Sequence, residues 1–220
     1  MLEVGPTVSH SCTYEKYRLL ERKIFMTIQE AETLSRDLAA EILAVDRPDL
    51  LVGIANGGLL PTKVVADYIG IPFHIVRVRR RGSRHKQRIF NILNTLRIPI
   101  SILRLRLVSY VTRRFTERYD ELEGAKTFDF SVLNKSVVLV DDAIYTGKSV
   151  RHVQEQLIKN GAAKVTTAVL CWYRGKGDSG NWSPNFYLVR QDHFYPWSYS
   201  SPYLSDYLAW LSAHDLFAST

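Results

Sequence analysis

Two adjacent carboxylates, Asp141 and Asp142, stand just ahead of Thr146-Gly147-Lys148-Ser149, separated from that string by Ala143, Ile144 and Tyr145. Gly147 lets the backbone approach a ligand closely. Thr146, Lys148 and Ser149 offer amides and hydroxyls at what reads as a helix N-terminus, where the positive end of the dipole favours an anion. Such a cradle suits a phosphate. Neighbouring carboxylates can accept hydrogen bonds from a pair of vicinal hydroxyls, or hold a cation. Cradle and clamp together describe a site for a ribose 5-phosphate. The elements that must position them are legible on either side. Val137-Val138-Leu139-Val140 is an uninterrupted apolar run rich in β-branched residues, which predicts a strand buried on both faces and ending at the two aspartates. A helical pattern begins at Val150. Ligands of open α/β sheets bind at the carboxyl ends of strands, so chemistry is expected here.

The whole string, apolar strand, two acids, three variable residues and Thr-Gly-x-Ser, resembles the phosphoribosyl pyrophosphate loop of the type I phosphoribosyltransferases. That resemblance implies that Asp141 and Asp142 grip the ribose hydroxyls, with Mg²⁺ bound through those hydroxyls or the pyrophosphate. It implies that Ala143, Tyr145, Thr146, Gly147, Lys148 and Ser149 surround the 5-phosphate. The chain holds no Gly-x-x-x-x-Gly-Lys-Ser/Thr, so a Walker-type site is not expected.

Leu50–Ala55 reads as a second buried strand. It runs into Asn56-Gly57-Gly58, after which Leu59-Leu60-Pro61 opens a helix to about Ile69. This unit is similar to the family's first loop, whose backbone meets the pyrophosphate. An Arg or Lys often precedes the glycines in the family, and here Asn56 stands in that place. A third strand is predicted over Phe73–Arg79, and a basic residue at its end, Arg79 or Arg80, is the counterpart of the family's pyrophosphate contact.

Asp192-His193-Phe194-Tyr195-Pro196-Trp197 is similar to the purine branch, in which an aromatic residue stacks on the base and Pro-Trp often follows. His193 and Phe194 are base-contact candidates on that footing, with Tyr195 a further one. Family members for 6-oxopurines carry an acid just before Thr-Gly and a Lys at the end of the next core strand. Here those positions hold Tyr145 and Tyr173, with Arg174 adjacent. The stretch VDDAIYTGKSVR is also similar to the uracil-linked regulators of pyrimidine operons, which have Tyr before Thr-Gly and bind RNA. Two functions therefore follow from the resemblance. One is a Mg²⁺-dependent enzyme joining phosphoribosyl pyrophosphate to a nucleobase, with a purine favoured. The other is a catalytically weak regulator that senses nucleotides and binds RNA.

At 220 residues with 46% apolar composition, the chain is long enough for one domain with decorations. No apolar run is long enough to span a bilayer, and Met1–Cys12 lacks the pattern of a secretory signal. Cys12 and Cys171 have no metal-binding spacing, which fits a reducing cytoplasm. The net charge of +7 is unevenly spread: Arg77–Arg118 carries thirteen Lys or Arg against one acid, Glu117, and the remainder is mildly acidic. This stretch could be a hood bringing arginines to a polyanionic substrate, an oligomer interface, a nucleic-acid surface or a basic face for anionic lipid.

The expected layout is an extension over 1–26 and a transferase domain over 27–200 whose hood spans 82–130. A terminal helix and tail follow over 201–220. Thr27-Ile28-Gln29-Glu30 is a capping box, and Ile28, Ala31, Leu34, Leu38, Ile42 and Val45 give the apolar face of the helix behind it. Val150, Val153, Leu157 and Ile158 mark another helix, closed at Asn160-Gly161. Strands follow over Lys164–Cys171 and Asn185–Arg190, and a helix over 202–214. Strands alternating with helices predict an α/β fold with a mainly parallel sheet. The family resemblance adds a homodimer, and the lack of a long apolar run predicts no membrane insertion.

Overall fold

The structure, a computed structural model, describes residues 25–80, 122–123, 128–173, 182–190, 194–198 and 200–216. The expectations placed on residues 1–24, on 82–121 and 124–127 of the hood, and on Arg174 and His193 lie outside those residues. By compactness the chain divides into two units, Met1–Arg77 with Thr127–Thr220, and Val78–Lys126.

The first unit is an α/β layer structure. In chain order it contains α1 (Ile28–Val45), β1 (Leu50–Ala55), α2 (Leu59–Ile69) and β2 (Phe73–Arg77). The second unit contributes β3 (Arg79–Arg80) and β4 (Leu122–Glu123), which pair antiparallel in a ribbon of their own. The first unit then resumes with β5 (Ser136–Ile144), α3 (Lys148–Lys159), β6 (Lys164–Trp172), β7 (Phe186–Val189) and α4 (Leu204–Ala213). Five strands form one parallel sheet in the order β2-β1-β5-β6-β7.

Local chemistry accounts for the boundaries. Thr27 caps α1 with both halves of the capping box: the Glu30 amide donates to Thr27 Oγ1 at 3.3 Å, and the Thr27 amide donates to Glu30 Oε2 at 2.9 Å. Gly70, at φ +75°, ends α2 in the left-handed region that a residue with a Cβ enters at a cost. The side of α1 carrying Ile28, Ala31, Leu34, Leu38 and Ile42 is buried with α2, with Val138 and Val140 of β5, and with Tyr207, Trp210 and Leu211 near or on α4. Trp210 ties α4 to α1 by donating from Nε1 to Glu32 Oε1 at 2.8 Å.

Three expectations are corrected here. The central strand does not stop at the aspartates but continues to Ile144, because β6 still pairs with it there, Ala143 opposite Cys171 and Ile144 opposite Trp172. The third strand ends at Arg77; Arg79 and Arg80 belong to the separate ribbon. Val45 and Ile158 are about half exposed, each lying at the end of its helix where the core falls away. Among the described residues no helix is long and apolar enough to cross a membrane.

Candidate functional site

The order of strands fixes where a ligand would enter. From β1 the chain winds outward to β2, and from β5 it winds the other way to β6 and β7, so β1 and β5 flank the topological switch point. These two strands pair from Leu50↔Val137 to Gly53↔Val140 and then separate. Beyond that point β1 pairs only with β2, and β5 only with β6. The sheet therefore forks at its carboxyl edge. Asn56-Gly57-Gly58 leaves one prong, while Asp141 to Ser149 forms the other.

Both glycines of the first turn are needed for close approach. Gly58 sits in the fork itself: a Cβ there would lie 2.6 Å from the Ile54 carbonyl oxygen and 2.8 Å from that of Val140. Its amide donates to the Ile54 carbonyl at 2.8 Å. Gly57 faces the other prong, where a Cβ would overlap the carboxyl group of Asp142. Asn56 is exposed at the tip, after a cis Ala55–Asn56 peptide.

On the second prong the two aspartates are differently engaged. The Asp142 amide donates to Asp141 Oδ1 at 2.9 Å. The Asp142 carboxylate accepts from the Ala143 amide at Oδ1 and from Trp197 Nε1 at Oδ2, both at 2.6 Å. Burial pushes the Asp142 carboxyl above the ordinary carboxylate range, opposed by the hydrogen bonds from Trp197 and Ala143. Trp197 stacks on Tyr195 with ring centroids 4.9 Å apart and leans on Tyr207 at 5.5 Å. The Tyr207 hydroxyl is buried with no hydrogen-bond partner among the described residues, and burial together with the nearby Asp142 charge raises its pKa.

The cradle follows. Gly147, at φ +67°, is the N-cap of α3 and has no side chain with which to cap the first turn. Lys148 is exposed, Thr146 and Ser149 are half-buried. Arg151, one turn into α3, donates from Nη2 to the Thr146 carbonyl at 3.0 Å and lies over the Trp182 ring at 5.8 Å. The Trp182 indole in turn covers Gly147, within 3.0 Å of where a Cβ would stand. Arg151 and Trp182 thus brace the cradle. Both were missed in the sequence; a basic residue four positions beyond the glycine was the only local signal.

Tyr145 and Tyr173 project from the ends of β5 and β6. Both are exposed, their ring centroids lie 5.5 Å apart, and the Tyr173 amide donates to the Ile144 carbonyl. Phe194 is exposed as well but sits against Phe25, whose strand-like bridge it shares, at 5.3 Å. Tyr195 is buried in the core. The side chains of Arg79 and Arg80 are not among those described.

Comparison with known proteins agrees with this architecture. A sequence profile of the phosphoribosyl transferase domain family matches residues 22–199. The orotate phosphoribosyltransferase of Bartonella henselae is 29% identical over 174 residues, 78% of this chain and 67% of that protein. The bifunctional protein PyrR of Caldicellulosiruptor saccharolyticus is 29% identical over 104 residues, 46% of this chain and 56% of that protein, so the chain spans only about half of such relatives. Among solved structures, the purine phosphoribosyltransferase of Pyrococcus horikoshii superposes with a TM-score of 0.56 at 22% identity, covering 80% of this chain and 94% of that one. A hypothetical protein of Neisseria gonorrhoeae with bound ppGpp gives the same TM-score at 15% identity over 87% and 97%.

Proposed function

The chain belongs to the phosphoribosyl transferase domain family, and from that premise we propose that it joins the ribose 5-phosphate of phosphoribosyl pyrophosphate to a nucleobase. The bond from the anomeric carbon to pyrophosphate breaks, a carbon–nitrogen bond to the base forms, and the base nitrogen loses its proton. The observation that carries this reading is the meeting, at one fork of the sheet, of a capless helix N-terminus, an acidic pair and a glycine turn.

Each part answers a need of the reaction. Cleavage builds positive charge on the ribose ring, so the sugar must be held rigidly while the leaving group is neutralised. The first turn of α3, with Thr146, Lys148 and Ser149, takes the 5-phosphate. The Asp141–Asp142 pair takes the ribose hydroxyls, and the Asn56–Gly58 turn takes the pyrophosphate. The neutral Asn56 leaves charge to be balanced there. Among the described residues no three His, Cys, Asp or Glu side chains gather as a metal cage. The residues instead fit a Mg²⁺ carried by the substrate's own oxygens, with Asp141 beside it, and when bound that ion would supply charge neutralisation for the leaving pyrophosphate.

The exposed Tyr145 and Tyr173 rings, tilted 48° to each other, offer an aromatic face to the base. A purine has the larger ring system to place there, and we favour it. The reading predicts that Mg²⁺-phosphoribosyl pyrophosphate binds one to one by calorimetry and raises the melting temperature. Gly147→Val should abolish both effects, since a branched side chain at φ +67° would also strike Trp182. Absence of heat and of a thermal shift in the unmodified chain would contradict the proposal.

A further inference from the structure

Three groups meet the Asp142 carboxylate: the Ala143 amide at Oδ1, the Trp197 indole at Oδ2, and the Gly57 backbone, packed against it so tightly that no Cβ fits between. Trp197 is itself fixed, stacked parallel on the buried Tyr195 and flanked by Tyr207. Tyr195 adds a second link, its hydroxyl donating to the Asp142 carbonyl at 3.5 Å. A chain of contacts thus runs from the C-terminal segment, through one carboxylate, to the glycine turn on the opposite prong of the fork.

We infer that Trp197 is a positioning residue, which through Asp142 sets the spacing between the Gly57 turn and the acidic strand end. The role in turnover rests on the transferase reading; the geometry does not. A side chain that holds two ligand-binding loops at a set separation acts on affinity and rate without touching substrate, and loss of such a support commonly costs about tenfold to a hundredfold.

The test compares two indoles of the same segment. Trp197→Phe keeps a ring in the stack and removes the N–H that meets Asp142. Trp210→Phe removes a matching N–H, the one that meets Glu32 at 2.8 Å, away from the fork. Affinity for Mg²⁺-phosphoribosyl pyrophosphate is measured by calorimetry on both, with melting temperature alongside. The expected result is similar loss of stability in both, with binding weakened about tenfold or more only in Trp197→Phe. Unchanged affinity in Trp197→Phe, or equal weakening in Trp210→Phe, would overturn the inference.

Exchange of the Trp197 indole proton, followed by ¹⁵N NMR in the unmodified chain, needs neither ligand nor variant. Slow exchange supports the Asp142–Trp197 pair, and exchange as fast as in a free indole overturns it even if Trp197→Phe does not fold. A protected indole in a chain that binds no Mg²⁺-phosphoribosyl pyrophosphate would sink the transferase reading and keep the pair.

Discussion

At the scale of single residues, the site depends on what is absent from side chains as much as on what they carry. Gly57 and Gly58 permit the two prongs to close on each other, and Gly57→Ala would push a methyl into the Asp142 carboxyl. We expect that variant to fold with reduced stability and to lose about a hundredfold in kcat/KM, the scale of an ångström-sized misplacement; steady-state kinetics check it. Asp141→Asn keeps size and shape while removing the charge that faces a developing cation. Its expected effect is a fall in kcat of about a hundredfold or more with the melting temperature nearly unchanged. Turnover equal to the unmodified chain would take Asp141 out of the reaction. The motif residues 141–149 were legible because their spacing is local. Trp197 as the partner of Asp142 was not, since it lies 55 residues away and nothing in either neighbourhood announces the bond. Trp182 was hidden for the same reason.

Elements were easier to read than their ends. The capping box at Thr27 and the apolar stripe behind it gave α1 its start and its buried face, and the glycines at 70 and 161 marked helix ends that the structure keeps. Thr27→Ala should lower unfolding free energy by about 1 kcal/mol, seen as a lower urea midpoint with unchanged slope. The overshoot of β5 past the aspartates was not legible, because Asp, Asp and Ala carry no strand preference of their own; the edge of β6 holds them extended.

The edge strand β2 carries a pH dependence. His74 stacks on Phe130 at 3.9 Å, and burial lowers its pKa, with Asp129 opposing and Lys135 adding to the shift. The folded chain therefore binds this proton less tightly than the unfolded chain. Stability from this residue is full above the unfolded value of about 6.5 and is lost as pH falls through the lower folded value. Urea midpoints taken from pH 8 downward should decline in that window, and His74→Gln should flatten the decline.

For the whole molecule, the alternation of strands and helices was enough to foresee a parallel α/β sheet. The basic stretch 77–118 is the feature that the sheet does not explain. Its thirteen cations will attract any polyanion, and the account predicts an RNA affinity that is indifferent to sequence and collapses between about 50 and 200 mM salt. Filter binding at several salt concentrations checks this; tight, sequence-dependent binding at physiological salt would favour a regulator instead. The most direct measurement of the central claim is pyrophosphate release from Mg²⁺-phosphoribosyl pyrophosphate, with hypoxanthine, guanine, xanthine, adenine, uracil and orotate offered one at a time and Asp141→Asn as the blank. The account predicts release that requires a base, is fastest with a purine and disappears in the variant. Traces that are the same with and without base, and the same in the variant, would contradict it.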